Sequence, residues 1–248
     1  MSKFRLLGDR NHTGYTCGVS TLYIIGTPIG NLGDISFRAV ETLKTVDLVA
    51  CEDTRRTLKL LSHLGLRIPL ISCRAQNEAA AAEKIILSLS EGKNVAYASD
   101  AGTPGVSDPG AVLAYLVAEA GYQVIPIPGP SAFASLVSVA GGMDKTVIFE
   151  GFLSPKAGRR RSRLKELLDT EAAFVLYESP FRVLKLLEDL ADLDNERYIC
   201  VGREMTKIHE EYLRGSVAEV LLILEEKTKQ IGEFSVFVSG KKTNNRVN

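Results

Sequence analysis

The chain has 248 residues, 45% apolar and 24% charged, which is enough core-forming material for one or two compact domains and excludes a disordered or low-complexity chain. Thirty Lys and Arg balance thirty Asp and Glu, so no global basic field draws in nucleic acid or an anionic membrane, and any anionic partner must be met locally. No stretch approaches the roughly 18 uninterrupted apolar residues of a membrane span. Cys17, Cys51, Cys73 and Cys200 form no CxxC pair, which argues against a zinc or dithiol site and fits a reduced, cytoplasmic setting.

Residues 1–20, rich in Gly, Thr and charge and without an apolar signal region, read as a loose N-terminal extension. From Thr21 onward, short runs rich in β-branched residues alternate with segments of helical periodicity, which predicts an α/β fold. Strands are expected at LYIIG (22–26), DLVACE (47–52), NVAYAS (94–99) and QVIPI (123–127). Helices are expected at 35–44, 55–64, 78–91 and 111–120, with another beginning near Ser131. Gly141, Gly142, Met143 and Asp144 break the pattern, giving an N-terminal α/β domain over 21–142 and a C-terminal one over 143–240. The second half begins afresh with strands at TVIFEGF, AAFVLYE, RYICVG and EFSVFVSG, and helices near 161–168, 181–190 and 216–227. Residues 241–248 read as a polar tail.

Three loops follow strands of the first half, where an open parallel sheet binds its ligands. GTPIGNLGD (26–34) matches neither the Walker pattern nor the dinucleotide fingerprint, and Pro28 removes one backbone N–H from any phosphate nest. SDAGTPGVSDPG (99–110) packs glycines, prolines and two aspartates between a strand and a helix; Asp100 reads as functional, and Asp108, followed by Pro109, as a helix start. PIPGPSA (126–132) is the third. Stiff walls that are uncharged or acidic suit a neutral or cationic cofactor, such as a sulfonium, better than a phosphate.

The run KAGRRRSRLK (156–165) holds six basic residues and no acid, so Lys156, Arg159, Arg160, Arg161 and Arg163 are candidates to grip RNA phosphates, with Arg55 and Arg56 extending the patch and Arg182 added to it. Aromatic residues are too sparse to predict a stacking platform.

The stretches GTPIGNLGDIS, CEDTRRT, SDAGTPGVSDPG, PGPSA, FEGF and REMTK, in this order over nearly the whole chain, resemble the ribosomal RNA small-subunit methyltransferase I family of the tetrapyrrole methylase superfamily. The resemblance implies two α/β domains of the tetrapyrrole methylase type with S-adenosylmethionine in the cleft between them. It also implies a homodimer, and transfer of the methyl to the 2′-hydroxyl of a cytidine in 16S ribosomal RNA, free or in the small ribosomal subunit, near the P site. By motif, the cofactor contacts would be Thr27, Pro28, Asp100, Thr103, Val106, Ser107, Ser131 and Ala132 from the first domain, and Ser179, Met205 and Glu233 from the second. Acceptor-side catalytic roles fall to Glu78, Arg203, Glu204 and Lys207, with structural ion pairing as the competing reading. Relatives commonly carry His-x-His-Asn-Glu where this chain has Arg74 to Glu78, and Ala-Pro-His-Arg where it has Ser179 to Arg182, so neither place supplies a histidine base. His12, His63 and His209 read as solvated or structural. Alternatives are a same-fold methyltransferase acting on a tetrapyrrole or a modified protein side chain, and a ribosome-assembly factor without catalysis.

Overall fold

The computed structural model describes residues 20–141, 145–227 and 230–240. Residues 1–19 of the predicted extension, with His12 and Cys17, the tail, and Gly142, Met143 and Asp144 of the predicted break lie outside the described residues.

The first half runs β1 (Thr21–Ile25), a single 3₁₀ turn, α1 (Phe37–Leu43), β2 (Leu48–Cys51), α2 (Thr54–His63), β3 (Leu70–Ser72), α3 (Glu78–Ser90), β4 (Val95–Ala98), α4 (Ala111–Glu119), β5 (Gln123–Ile127) and α5 (Ala132–Ala140). Side-chain caps fix several helix starts: Ser36 accepts from the Ala39 N–H at 3.1 Å and Asp53 from the Arg55 N–H at 2.9 Å. The strands form one parallel sheet in the order β3-β2-β4-β1-β5. Strand alternation sends Val49 and Ala96 to the α1–α2 side, where they meet Leu43 and Leu61. Ala50, Val95 and Tyr97 point the other way, to Ile85 of α3 and Leu113 of α4. Both faces are covered, as a parallel sheet requires.

The second half runs β6 (Val147–Phe152), α6 (Ala157–Asp169), β7 (Ala173–Glu178), α7 (Val183–Asp194), β8 (Tyr198–Arg203), β9 (Glu211–Ser216), α8 (Val217–Glu225) and β10 (Phe234–Val238). Its sheet has the order β6-β7-β10-β8-β9. Only the β6–β7 pair is parallel. Phe174, Leu176, Val236 and Val238 face α6, α7 and α8. The opposite face, with Val175, Cys200 and Phe237, is covered by Leu136 and Ala140 of α5.

The packing divide therefore differs from the predicted domain boundary. α5 follows the first sheet in sequence but covers the second, so the divide falls near residues 128–131, ahead of the glycine break. β3 and β9 were not expected, and each is an edge strand of its sheet.

Candidate active site

β4, β1 and β5 are neighbours in one parallel sheet, so the loops after them must meet above its carboxyl edge. Their backbones are joined. Thr27 and Gly102 exchange both backbone hydrogen bonds, at 2.8 and 3.0 Å, and the Thr103 hydroxyl donates to the Pro130 carbonyl at 3.2 Å. Gly26 lies against Gly129 so closely that a Cβ on Gly129 would stand 2.5 Å from the Gly26 carbonyl oxygen. Two chains can pass at this distance only where neither carries a side chain.

Between this triple junction and the second sheet lies a cavity of about 320 Å³. The first half contributes Ile29, the 101–103 turn, Val106, Ser107 and Asp108; the start of α5 contributes Ser131 and Ala132. From the second sheet come Phe152, Tyr177 to Pro180, and Glu233 to Ser235, brought together because Phe234 pairs with Glu178 across β10 and β7. The walls are mainly apolar, and the charged residues among them are Asp108, Glu178 and Glu233. Glu178 is paired with Arg182 at 2.7 Å and accepts from the Ser179 N–H at 2.7 Å. Glu233, 79% exposed, pairs with Lys207 at 3.0 Å. Asp108 has no cation in reach among the described residues. Burial first, then the carboxylates of Glu52 and Asp100, push its carboxyl up to about 6, against the opposing effect of Ser99.

Of the predicted cofactor contacts, Thr103, Val106, Ser107, Ser131, Ala132, Ser179 and Glu233 line this cavity. Thr27 does not: it is buried, and its hydroxyl turns toward the Ser99 and Gly102 carbonyls. Pro28 is likewise not in the wall, where Ile29 stands instead. Met205 is packed in the apolar cluster under α5. Asp100 faces a separate polar pocket beside Asp53, Arg55 and Arg74, accepting from the Asp53 N–H at 2.9 Å with Arg56 3.4 Å away.

Glu78, predicted on the acceptor side, lies outside the cavity wall. It is buried, and one carboxylate oxygen accepts from the Gly110 and Leu113 N–H groups at 2.8 and 2.9 Å, so it caps α4 from the start of α3. Asp108, expected as the start of that helix, is thereby released to the cavity wall. The density of glycines around it held the missed signal: α4 follows Gly110, not an aspartate.

Arg203, Glu204 and Lys207 form a structural network outside the cavity wall. Arg203 bonds to the Ile231 carbonyl at 2.8 Å and to Glu211 at 3.2 Å. Burial works against the charge on Glu204, but Lys207 at 2.8 Å and the Glu233 N–H hold its carboxyl below the usual range. The turn itself is strained, with Glu204 and Thr206 at φ of 49° and 66°. It docks on the first loop, where the Asn31 N–H donates to the Thr206 hydroxyl at 3.1 Å.

The basic run is also reassigned in part. Arg160 is buried in a 2.7 Å pair with Asp189 of α7. Arg161 bridges Asp189 and Asp192, and Arg163 bridges Glu150 and Glu166. Arg55 is paired with Asp53, and Arg182 with Glu178. Lys156 and Arg159 remain exposed and without an ion-pair partner among the described residues.

Residues 21–221 match the model of the Tetrapyrrole (Corrin/Porphyrin) Methylases, and the chain belongs to this family of methyltransferases, which take their methyl group from S-adenosylmethionine. Within it, the chain is 47% identical over 88% of its length to a protein of Borrelia garinii subsp. bavariensis named ribosomal RNA small subunit methyltransferase I, of which 98% is covered. Proteins of the same name from Thermotoga maritima and Synechocystis sp. are 45% and 44% identical, with 98% and 78% of their lengths covered. The fold is that of a solved cobalt precorrin-4 methyltransferase of cobalamin biosynthesis, with a TM-score of 0.65 at 17% identity, over 88% of this chain and 94% of the other.

The cavity fits the cofactor on its own evidence. Its volume lies within the roughly 300–1,000 Å³ common for small-ligand sites, and its charged lining is anionic. Among the described residues there is no cluster of metal-ligating side chains, and no helix is long and apolar enough to cross a membrane.

Proposed function

We propose that the chain methylates the 2′-hydroxyl of a cytidine ribose in 16S ribosomal RNA near the P site, acting in the cytoplasm as a homodimer on the rRNA or the small subunit. The observation that carries this reading is the largely apolar cavity whose charged lining is acidic, with the exposed ring of Phe152 in its wall. S-adenosylmethionine, when bound, supplies a methyl group on a positively charged sulfur. Thr103, Val106, Ser107, Ser131, Ala132 and Ser179 form the walls that hold it and exclude water, while Asp108 and Glu178 give the enclosed space a negative potential. Positioning of the acceptor oxygen in line with the methyl group supplies much of the rate in such a displacement.

The names of the relatives support ribosomal RNA as the acceptor, and the surface supports an acceptor larger than a ring system. Phe152 lines the cavity and is 58% exposed; Phe181, next to lining residue Pro180, is 88% exposed. Rings so exposed offer faces for an unstacked base. Lys156 and Arg159 stand at the start of α6, a few residues beyond Phe152, where the helix N-terminus adds to the attraction for phosphate.

Calorimetric titration with S-adenosylmethionine is expected to show one site per chain, and mass mapping of 16S ribosomal RNA from a deletion strain a single missing ribose methyl that the purified protein restores. Absence of cofactor binding would favour the assembly-factor reading. Replacing Lys156 and Arg159 together with Ala is expected to weaken RNA binding about tenfold near 0.1 M salt and to flatten the plot of log K against log salt by about 1.5, since each lost phosphate contact removes about 0.7–0.9 from the slope. Cofactor affinity should stay at the parent value; an unchanged salt slope would remove these two residues from the RNA surface.

A further inference from the structure

We propose that Asp108 is the catalytic residue that takes the proton from the acceptor hydroxyl. The inference rests on the methyl-transfer reading above. The other two carboxylates of the cavity are committed: Glu178 to Arg182 and the Ser179 N–H, Glu233 to Lys207. Asp108 alone of the three has no cationic partner among the described residues. It lines the same cavity as Ser107 beside it in sequence and Tyr177 and Glu178 of β7.

Its surroundings keep it protonatable near neutrality. Facing it are Glu52 beyond β2, Asp100 beyond β4 and Glu233 ahead of β10, all of which oppose its charge, and Ser99, which favours it, although the Ser99 hydroxyl donates to the Ala101 carbonyl at 3.3 Å. Tyr97 of β4 and Tyr177 of β7 feel its charge in turn; burial first and then Asp108 push the Tyr177 phenol up, to about 12, so neither ring competes as a base. A carboxyl titrating at about 6 is charged at working pH and a better proton acceptor than an ordinary aspartate. In the transfer step the hydroxyl proton passes to a carboxylate oxygen of Asp108. The oxygen's electron pair forms the bond to the methyl carbon, and the methyl–sulfur bond breaks with its pair left on a neutral thioether. The protonated Asp108 then returns its proton to solvent.

The test uses the full chain, the parent and Asp108→Asn. Carboxyl ¹³C NMR of cofactor-free protein should show an aspartate with a midpoint near 6 that is missing from the variant. Cofactor affinity by calorimetry should fall several-fold, because a carboxylate lining the cationic cofactor's cavity is neutralised, whereas kcat on the RNA substrate at saturating cofactor should fall by about 10²- to 10⁴-fold. Asp108→Glu should recover part of that loss. The parent's log kcat/KM for the cofactor, which follows the free enzyme, should decline below the NMR midpoint, and the variant's residual rate should lack this limb. The Asn variant should fold at least as well at pH 7.5: the native state holds this proton to higher pH than the unfolded chain, so ionised Asp108 costs stability above about pH 6.

A variant kcat within threefold of the parent, a loss confined to cofactor affinity, or a parent profile with no limb at the NMR midpoint would each overturn the assignment. If the Asn variant fails to fold, the parent's midpoint and limb decide. A parent that binds cofactor and RNA yet transfers no methyl would instead overturn the proposed function.

Discussion

Arg160→Ala is expected to destabilise the protein by about 3–5 kcal/mol and to lower Tm by on the order of 10 °C, with little direct effect on RNA contact. The guanidinium and the Asp189 carboxylate are 6% and 10% exposed and meet at 2.7 Å, with a second bond from Arg160 to the Pro155 carbonyl at 3.4 Å. Truncation leaves Asp189 buried with only Arg161 at 3.2 Å to offset its charge, and Arg161 is itself shared with Asp192. Thermal and denaturant unfolding measure the loss. A change under about 1 kcal/mol, the range of surface pairs, would mean the pair is solvated and would return Arg160 to the RNA face. The contrast with Lys156 and Arg159 is the informative part: neighbouring cations of one run should separate into a stability phenotype and a salt-dependence phenotype.

Gly129→Ala is expected to weaken S-adenosylmethionine binding by at least 100-fold and to cost about 1–3 kcal/mol of stability. The added methyl would meet the Gly26 carbonyl oxygen at 2.5 Å and its carbon at 2.8 Å, atoms of a backbone already fixed by the Gly26 N–H bond to the Ile127 carbonyl. Nothing flexible is available to move. The loops after β1 and β5 must part, and with them goes the wall running from Ile29 to Ser131. Gly158→Ala serves as the control: nothing lies within 4 Å of its Cβ position, and in the first turn of α6 the change should be neutral or stabilising by a few tenths of a kcal/mol. Calorimetry of both variants with the cofactor separates the cases, and binding by Gly129→Ala equal to that of the parent would contradict the close approach.

The central strands were legible because burial on both sides leaves uninterrupted apolar runs, as in VAYA of β4 and FSVFV of β10. β3 and β9 were not, for a physical reason. β3 is only three residues long and β9 carries Glu211, Arg214 and Ser216 with no residue fully buried, so LIS and EYLRGS carry too little pattern to be separated from loops. The same contrast runs through the site. Loops at the ends of β1, β4 and β5 were placed by the strand-end rule, which is a property of the chain near each loop. The pairs of Arg160 with Asp189 and of Arg163 with Glu150 were hidden because they join residues far apart in sequence, 29 and 13 positions away on other elements, whereas Arg55–Asp53 and Arg182–Glu178 are local. The exchange of roles between Glu78 and Asp108 has the same origin, since the N–H groups that Glu78 satisfies stand 32 and 35 positions from it.

The placement of α5 governs how the chain may be divided. A fragment ending at residue 141 would carry Leu136 and Ala140 into water and leave Val175, Cys200 and Phe237 bare on the other piece, whereas a cut near residue 130 returns the helix to the layer it shields. The covalent border and the border between folding units thus disagree by one helix, and that helix begins with Ser131 and Ala132 of the cavity wall. Neither piece alone owns a whole binding site, so complementation between separately produced fragments would regain cofactor binding only on their reassembly.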